Sequence, residues 1–340
     1  MSRPFSSPSR VLCVAPNWLG DGLFCLPAVD ALRRRFPAAS FDLLARAGLA
    51  GLLGVSGRFQ GTHVLDPEDG RGGRLRAQWG MRHEGYGLAV VFPDSFSAGL
   101  GAWLTGARER VGRSGEGRSP FLTRRLPKRP ARGRVHVVDE YLALAEACGA
   151  SAVGLERVPT FHAPERGLEE RQRIFRELGL GAGLLVGLCP TAAYGPAKQW
   201  PLEFWDALAL ELRERRFSVV LFCAKSERGP LEALARARGL PLLSPSLPGL
   251  AACLAACEVV VANDSGSLHL AASLGVRSLG LYGSTNPRWT GPLGPRTEAL
   301  SLELACSPCY AKVCPLGHLN CLRTLSVERV LESFSEILKR

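Results

Sequence analysis

The sequence predicts an α/β fold built as two doubly wound, Rossmann-like domains facing a cleft. Apolar runs of strand length alternate with segments of helical period, and this alternation restarts in the second half after a Pro-containing stretch. The chain has 340 residues, enough for about two domains at roughly 150 residues each. The strand-like runs are apolar throughout, as in parallel sheets covered on both faces.

The first half opens with a strand at Val11–Ala15, a polar turn at Pro16–Gly22 and a helix at Leu26–Phe36 with apolar residues at 26, 29, 32 and 36. Strands follow at Phe41–Ala45 and Gly87–Phe92. From Arg108 to Arg134, ten Lys or Arg residues stand against only Glu109 and Glu116, with frequent Gly and Pro, so this stretch reads as loop. A helix returns at Val138–Cys148. Pro159 and Pro164 mark Val158–Arg166 as the linker, which predicts domains at residues 11–165 and 166–340. The second half gives strands at Leu184–Cys189, Ser218–Cys223, Val259–Ala262 and Ser278–Tyr282. Its helices are expected at Pro201–Arg215, Gly229–Arg238 and Leu268–Leu274. Gly179–Gly183 reads as a turn ahead of a strand. A last helix is expected to pack back on the N-terminal domain.

Composition narrows the function. The chain is 46% hydrophobic and 21% charged, which excludes a disordered chain. Lys and Arg number 42 against 31 Asp and Glu, a net charge of +11 that suits an anionic partner. The longest apolar run, Leu250–Ala262, carries Glu258 and is shorter than the roughly 18 residues of a membrane span. Met1–Arg10 is rich in Ser, Pro and Arg and does not read as a secretory signal. A cytoplasmic protein is expected.

The polar motifs fall after strands, where doubly wound sheets bind ligands. Asn263-Asp264-Ser265-Gly266 opens a helix whose free amides favour an anion, with His269 one turn inside; an ordinary N-cap reads the same way. Lys198, in Lys198-Gln199-Trp200-Pro201, can meet a phosphate as a point charge and Thr191 can donate a hydroxyl; a solvated loop lysine is the plainer alternative. Asp21, between Gly20 and Gly22, can act as a general base or simply shape a tight turn. The Arg-rich stretch can grip phosphates through planar forks or stay solvated. Only Phe121 is interleaved there as a stacking aromatic, against single-stranded nucleic acid. Cys306, Cys309, Cys314 and Cys321, with His318 between, have spacing compatible with a Zn site but also with packing thiols or labile disulfides. Neither a G-x-G-x-x-G after a strand nor a P-loop is present, which argues against a dinucleotide dehydrogenase and a P-loop NTPase.

The order of these motifs is more specific than any one of them. Trp18-Leu-Gly-Asp21, Gly195-Pro-Ala-Lys-Gln-Trp-Pro201, Asn263-Asp-Ser-Gly-Ser-Leu-His-Leu-Ala-Ala272 and Leu281-Tyr-Gly-Ser-Thr-Asn-Pro287 together resemble the ADP-heptose:lipopolysaccharide heptosyltransferases. The Cys-rich C-terminal segment is similar to the heptosyltransferase II branch. Phe92-Pro-Asp-Ser-Phe96 and Gly112–Arg118 extend the resemblance, which runs from Val11 to about Leu338.

The resemblance implies a GT-B glycosyltransferase with an N-terminal acceptor domain and a C-terminal nucleotide-sugar domain. Heptose would move from ADP-heptose to the lipopolysaccharide inner core, the second heptose in particular, with inversion and without a metal or other cofactor. It makes Asp21 the base, Lys198 and Thr191 diphosphate ligands, and Ser265 and Gly266 suppliers of amides to the leaving ADP. Asp264 and His269 complete the donor pocket, Glu227 meets the ribose, and Arg113 and Arg118 meet the acceptor. The expected partners are therefore ADP-heptose, the inner-core acceptor and the anionic inner-membrane surface, with no nucleic acid. The enzyme would be peripheral to that membrane. Two features depart from the family pattern. Position 94 is Asp where an Asn-like residue is expected, and Arg124–Arg134 is more basic and Pro-rich. The alternatives are a related transferase with another nucleotide-sugar or acceptor, and a Zn-containing nucleic-acid-binding protein.

Overall fold

The computed structural model describes residues 7–66, 68–151, 153–180 and 184–340. It divides into two units, the first ending at Pro159 and the second starting at Thr160. The division falls inside the stretch read as linker, ahead of residue 165. Phe161 explains why: it is buried, and its amide donates to the carbonyl of Ser273, which ties it to the second unit.

The first unit contains strands β1 (Arg10–Val14), β2 (Ser40–Arg46), β3 (Gly61–Leu65), β4 (Leu88–Val91), β5 (Glu109–Arg113) and β6 (Arg124–Leu126). They form one parallel sheet of order β3-β2-β1-β4-β5-β6. Val11 pairs with both Phe41 and Leu88, so β1 is central, and its residues 11–14 are buried. The second unit contains β7 (Leu185–Cys189), β8 (Ser218–Phe222), β9 (Leu242–Leu243), β10 (Val259–Asn263), β11 (Arg277–Tyr282) and β12 (Thr297–Ser301). Their order is β12-β11-β10-β7-β8-β9, again all parallel. Counted from each unit's first strand, the two orders are the same doubly wound topology. In both, strand order reverses between the unit's first and fourth strands, and the carboxyl ends there are where such sheets take ligands. Asp21 follows β1 and Asp94 follows β4; Thr191 and Lys198 follow β7, and Asp264 follows β10.

Several expectations need correcting. The basic stretch from Arg108 is not simply loop, for it supplies β5 and β6. Arg124 and Arg125 lie on the sheet-edge strand, where charge discourages pairing with another chain. Asp21 is not in a tight turn but in the first turn of the helix Leu19–Phe24. The glycine beside it serves packing, since a Cβ on Gly22 would come within 2.8 Å of the Leu49 side chain. The last helix is Val327–Lys339. It packs against β11 and β12, and Val330, Leu331, Phe334 and Ile337 are buried in the second unit's own core with Trp205 and Leu279. Of the turn expected at Gly179–Gly183, positions 181–183 lie outside the described residues. No helix among the described residues is long and apolar enough to cross a membrane.

Candidate active site

In the first unit, the Tyr141 hydroxyl donates to Asp21 Oδ1 at 2.9 Å. Tyr141 sits on the helix Val137–Ala147 and is buried. Burial, and then the nearby Asp21 charge, pushes its phenol well above the usual tyrosine value, so it stays a donor across the working pH range. One carboxylate oxygen of Asp21 is thereby fixed. The sequence reading assigned Tyr141 no role, because its partner lies 120 residues away.

The Arg129 guanidinium lies 5.1 Å from the centroid of the Tyr141 ring and pairs with Glu140 at 2.6 Å and with Asp94. Burial opposes its charge, but Tyr141, Asp94 and Glu140 outweigh that and raise its pKa. Asp94 also accepts from Arg118 Nη2 at 2.9 Å. Asp94 and Arg129, one from each of the two features noted in the sequence, thus form an ion pair.

Arg113 and Arg118, expected to meet an acceptor, are buried braces instead. Arg113 donates to the carbonyls of Pro127 and Glu140, at 3.2 and 2.9 Å. Arg118, 2% exposed, donates to the carbonyls of Ser114, Gly115 and Asp94 as well as to the Asp94 carboxylate. Its fork closes the Gly112–Arg118 segment on itself, so it shapes that segment rather than presenting a charge from it. Arg118→Ala is expected to destabilise the protein by about 2–3 kcal/mol, because several buried acceptors lose a charged donor. Asp94 keeps Arg129, which limits the loss. Urea denaturation measures it, and a change below about 0.5 kcal/mol would show that the fork carries no structural load.

In the second unit, a buried polar cluster centres on Asp264, which is 3% exposed. Its Oδ2 accepts from Lys198 Nζ and from the Thr285 hydroxyl, each at 2.5 Å, and its Oδ1 lies 3.4 Å from His269 Nε2. Burial pushes the carboxyl up, but the His269 hydrogen bond and the Lys198 charge outweigh it and hold the pKa at about 2. Asp264 is therefore the anion behind the cluster. Lys198 spends one of its three N–H donors on it, leaving two. His269 is buried rather than on a reachable face. Thr285, quoted in a motif without a role, belongs to this cluster.

Beside Asp264, Ser265 is the N-cap of the helix Gly266–Ser273 and makes no side-chain capping bond. Its hydroxyl, like that of Ser284, is buried without a hydrogen-bond partner among the described residues. Orphaned donors at a helix N-terminus favour an anion. Thr191 is placed otherwise than expected: its hydroxyl donates to Glu227 Oε2 at 2.7 Å, and the same oxygen accepts from the Ala224 amide at 3.3 Å. Thr191 and Glu227 thus act as a pair that ties the end of β7 to the turn after β8.

Asn263 links the two strand ends of this site. Its amide nitrogen donates to the Pro190 carbonyl at 2.7 Å, and its oxygen accepts from the Trp200 amide at 3.0 Å. The Trp200 indole donates to the Leu325 carbonyl, so this Trp is a core anchor for the Lys198 loop. The Cys-rich segment braces the same loop from outside. Tyr194 donates its hydroxyl to the Tyr310 carbonyl at 2.7 Å, and the Ala197 amide donates to the Lys312 carbonyl at 3.0 Å. Gly195 is required there, with φ +152° and a position where a Cβ would meet the Lys312 oxygen at 2.5 Å. The thiols of Cys306, Cys309, Cys314 and Cys321 are free. Among the described residues no group of three or more His, Cys, Asp or Glu side chains is placed to hold a metal ion.

Two doubly wound units of one topology, with an anion-favouring helix terminus and a held lysine at the switch point of the second, define a GT-B-type glycosyltransferase. Comparison with known proteins makes this specific. The model of glycosyltransferase family 9 (heptosyltransferase) matches residues 74–320, and the chain belongs to that family. The chain is 28% identical to lipopolysaccharide heptosyltransferase 2 of Escherichia coli over 97% of its length and 98% of that protein's. It is 31% identical to lipopolysaccharide heptosyltransferase 1 of Pseudomonas aeruginosa, over 90% of this chain and 87% of that protein. The solved structure of E. coli ADP-heptose heptosyltransferase II superposes with a TM-score of 0.80 at 27% identity, covering 97% of this chain and 98% of that one.

Proposed function

We propose that the protein transfers heptose from ADP-heptose to the lipopolysaccharide inner core with inversion, adding the second heptose, at the cytoplasmic face of the inner membrane. The observation that carries this reading is the Lys198–Asp264–Thr285–His269 cluster beside the uncapped start of the helix Gly266–Ser273. Asp264 orients Lys198, whose two remaining donors meet the diphosphate. The Ser265 hydroxyl and the amides from Gly266 onward meet the charge that builds on ADP as it leaves. Asp21, with one oxygen held by Tyr141, takes the proton of the acceptor hydroxyl. The hydroxyl oxygen bonds to the anomeric carbon as the bond from that carbon to the phosphate oxygen breaks, and ADP departs with the electron pair. Lys198 and the helix amides supply the positive charge, so the reading invokes no metal. Arg113 and Arg118 act on the acceptor through the shape of the segment they brace.

The test is calorimetry of ADP, UDP, NAD and a short RNA on wild type and Lys198→Ala, followed by mass spectrometry of heptose transfer to inner-core acceptors. Selective ADP binding is expected. Lys198→Ala should weaken it about 10–100-fold, the worth of a charge-assisted hydrogen bond. Unchanged ADP affinity removes Lys198 from the diphosphate, and tight salt-dependent RNA binding without ADP binding overturns the whole reading. The 31% identity to a heptosyltransferase 1 favours, as a second reading, transfer of the first heptose. Acceptors with and without that heptose separate the two.

A further inference from the structure

The helix Phe96–Leu104 is built inside out. Its inward positions are Ala98, Gly99, Gly101 and Ala102, while Phe96, Leu100, Trp103 and Leu104 recur at i, i+4, i+7 and i+8 on the outward side. Phe96 is 49% exposed and Trp103 is 41% exposed. An ordinary surface helix turns its large apolar side chains to the core. Here the small residues seat the helix closely: a Cβ on Gly99 would meet Arg118 at 2.7 Å, and one on Gly101 would run into Gln78.

Gln78 belongs to the helix Gly70–Gly80, packed alongside, which is almost entirely exposed and carries Leu75 and Trp79, the latter 52% exposed. The two helices pack together, and each carries exposed apolar side chains. Arg82 stacks 3.9 Å from the Trp79 ring and donates through Nε to the Leu104 carbonyl at 3.0 Å. Phe121 lies 5.4 Å from Phe96 and 6.0 Å from Trp103 between ring centroids. Arg71, Arg74, Arg76 and Arg108 lie on or beside these helices, and none forms an ion pair among the described residues.

We propose that this aromatic and arginine-bearing face of the first unit docks the protein on an anionic phospholipid bilayer. Tryptophan and phenylalanine side chains enter the headgroup boundary, and unpaired arginines meet lipid phosphates. Charge chooses this occupant: a second copy of a chain of net charge +11 would bring arginines against arginines. The inference rests on the proposed transfer to the lipopolysaccharide inner core at the membrane face, and it names the surface that meets that membrane.

The test is flotation of the full chain with phosphatidylcholine vesicles, with and without phosphatidylglycerol, for wild type, Trp79→Glu/Trp103→Glu and Arg71→Gln/Arg76→Gln. Wild type should float with anionic vesicles and lose them as salt rises. The aromatic variant should bind at least about tenfold more weakly, and the arginine variant should lose the preference for phosphatidylglycerol by about tenfold. Both should keep wild-type ADP affinity and turnover on a water-soluble acceptor. That result also shows that the variants are folded. Variants that float like wild type overturn this face as the docking surface. A wild type that ignores anionic vesicles but transfers heptose to the soluble acceptor overturns the docking while sparing the transferase reading. Vesicle binding lost in the variants, in a protein that transfers no heptose, upholds the face and sinks that reading instead. A wild-type dimer that the aromatic variant dissociates, with no vesicle binding, assigns the face to a second copy and overturns the proposal.

Discussion

Asp21→Ala is expected to lower turnover by about 10²–10⁴-fold, the usual worth of a general base, and to leave ADP affinity within about twofold of wild type. Asp21 lies in the first unit and the proposed diphosphate ligands in the second, so removing this carboxylate takes nothing from the cluster around Lys198. Stability should fall by about 1–3 kcal/mol, because the buried Tyr141 hydroxyl loses this acceptor. Asp21 is a first-turn acid in a short helix, and such an acid contributes roughly 0.3–1 kcal/mol through the helix dipole. Asp21→Asn sharpens the experiment, since an amide can still accept from Tyr141 but cannot take a proton at neutral pH. The two variants should therefore be about equally inactive. An Asn variant within about tenfold of wild type turnover would mean that Asp21 positions the acceptor and that another group takes the proton. Steady-state kinetics and ADP calorimetry on the same preparations decide between these outcomes.

Much of this architecture was legible in the sequence because the central strands are apolar on both faces. Val11–Val14, Leu185–Cys189 and Val259–Ala262 have no solvent side, so their pattern reads directly. Strands β5 and β6 were hidden, because both carry Arg where the central strands are apolar, and β6 is an exposed edge that tolerates charge and so looks like loop. The site was legible as motifs but not as bonds. Asp264, Lys198 and Ser265 stand out because they follow strand ends. Long-range partners such as Tyr141 for Asp21, Thr285 for Asp264 and Glu227 for Thr191 have no sequence period to betray them. The arginines misled for a related reason. An Arg in a Gly-rich segment reads as a free fork, yet Arg118 is spent on the Ser114 and Gly115 carbonyls, which an irregular backbone would otherwise leave unpaired, and Arg113 on the distant Glu140 carbonyl.

The second large effect is expected at Asp264, where stability and donor binding should fall together. Asp264→Ala leaves Lys198 and Thr285 without the acceptor that both use, in a site almost closed to solvent. Breaking a buried pair from one side costs about 3–5 kcal/mol. Lys198→Ala should cost less stability, because Asp264 would keep Thr285 and the His269 contact. The two variants should thus be unequal in denaturation although both weaken ADP. The pH dependence supplies a second check. Asp264 is held at about 2, below the ordinary 3.8, so the folded state favours its ionised form. That contribution, on the order of 2 kcal/mol, is fully present above the unfolded value and is lost as pH falls from about 4 through about 2. The stability gap between wild type and Asp264→Ala should therefore be widest near neutral pH and narrow across that acid window. Urea denaturation at pH 7, 5, 4 and 3 would trace it. A gap that stays constant down to pH 3 would mean that packing, not the ionised carboxylate, holds the cluster, and the orientation of Lys198 by Asp264 would then need another cause.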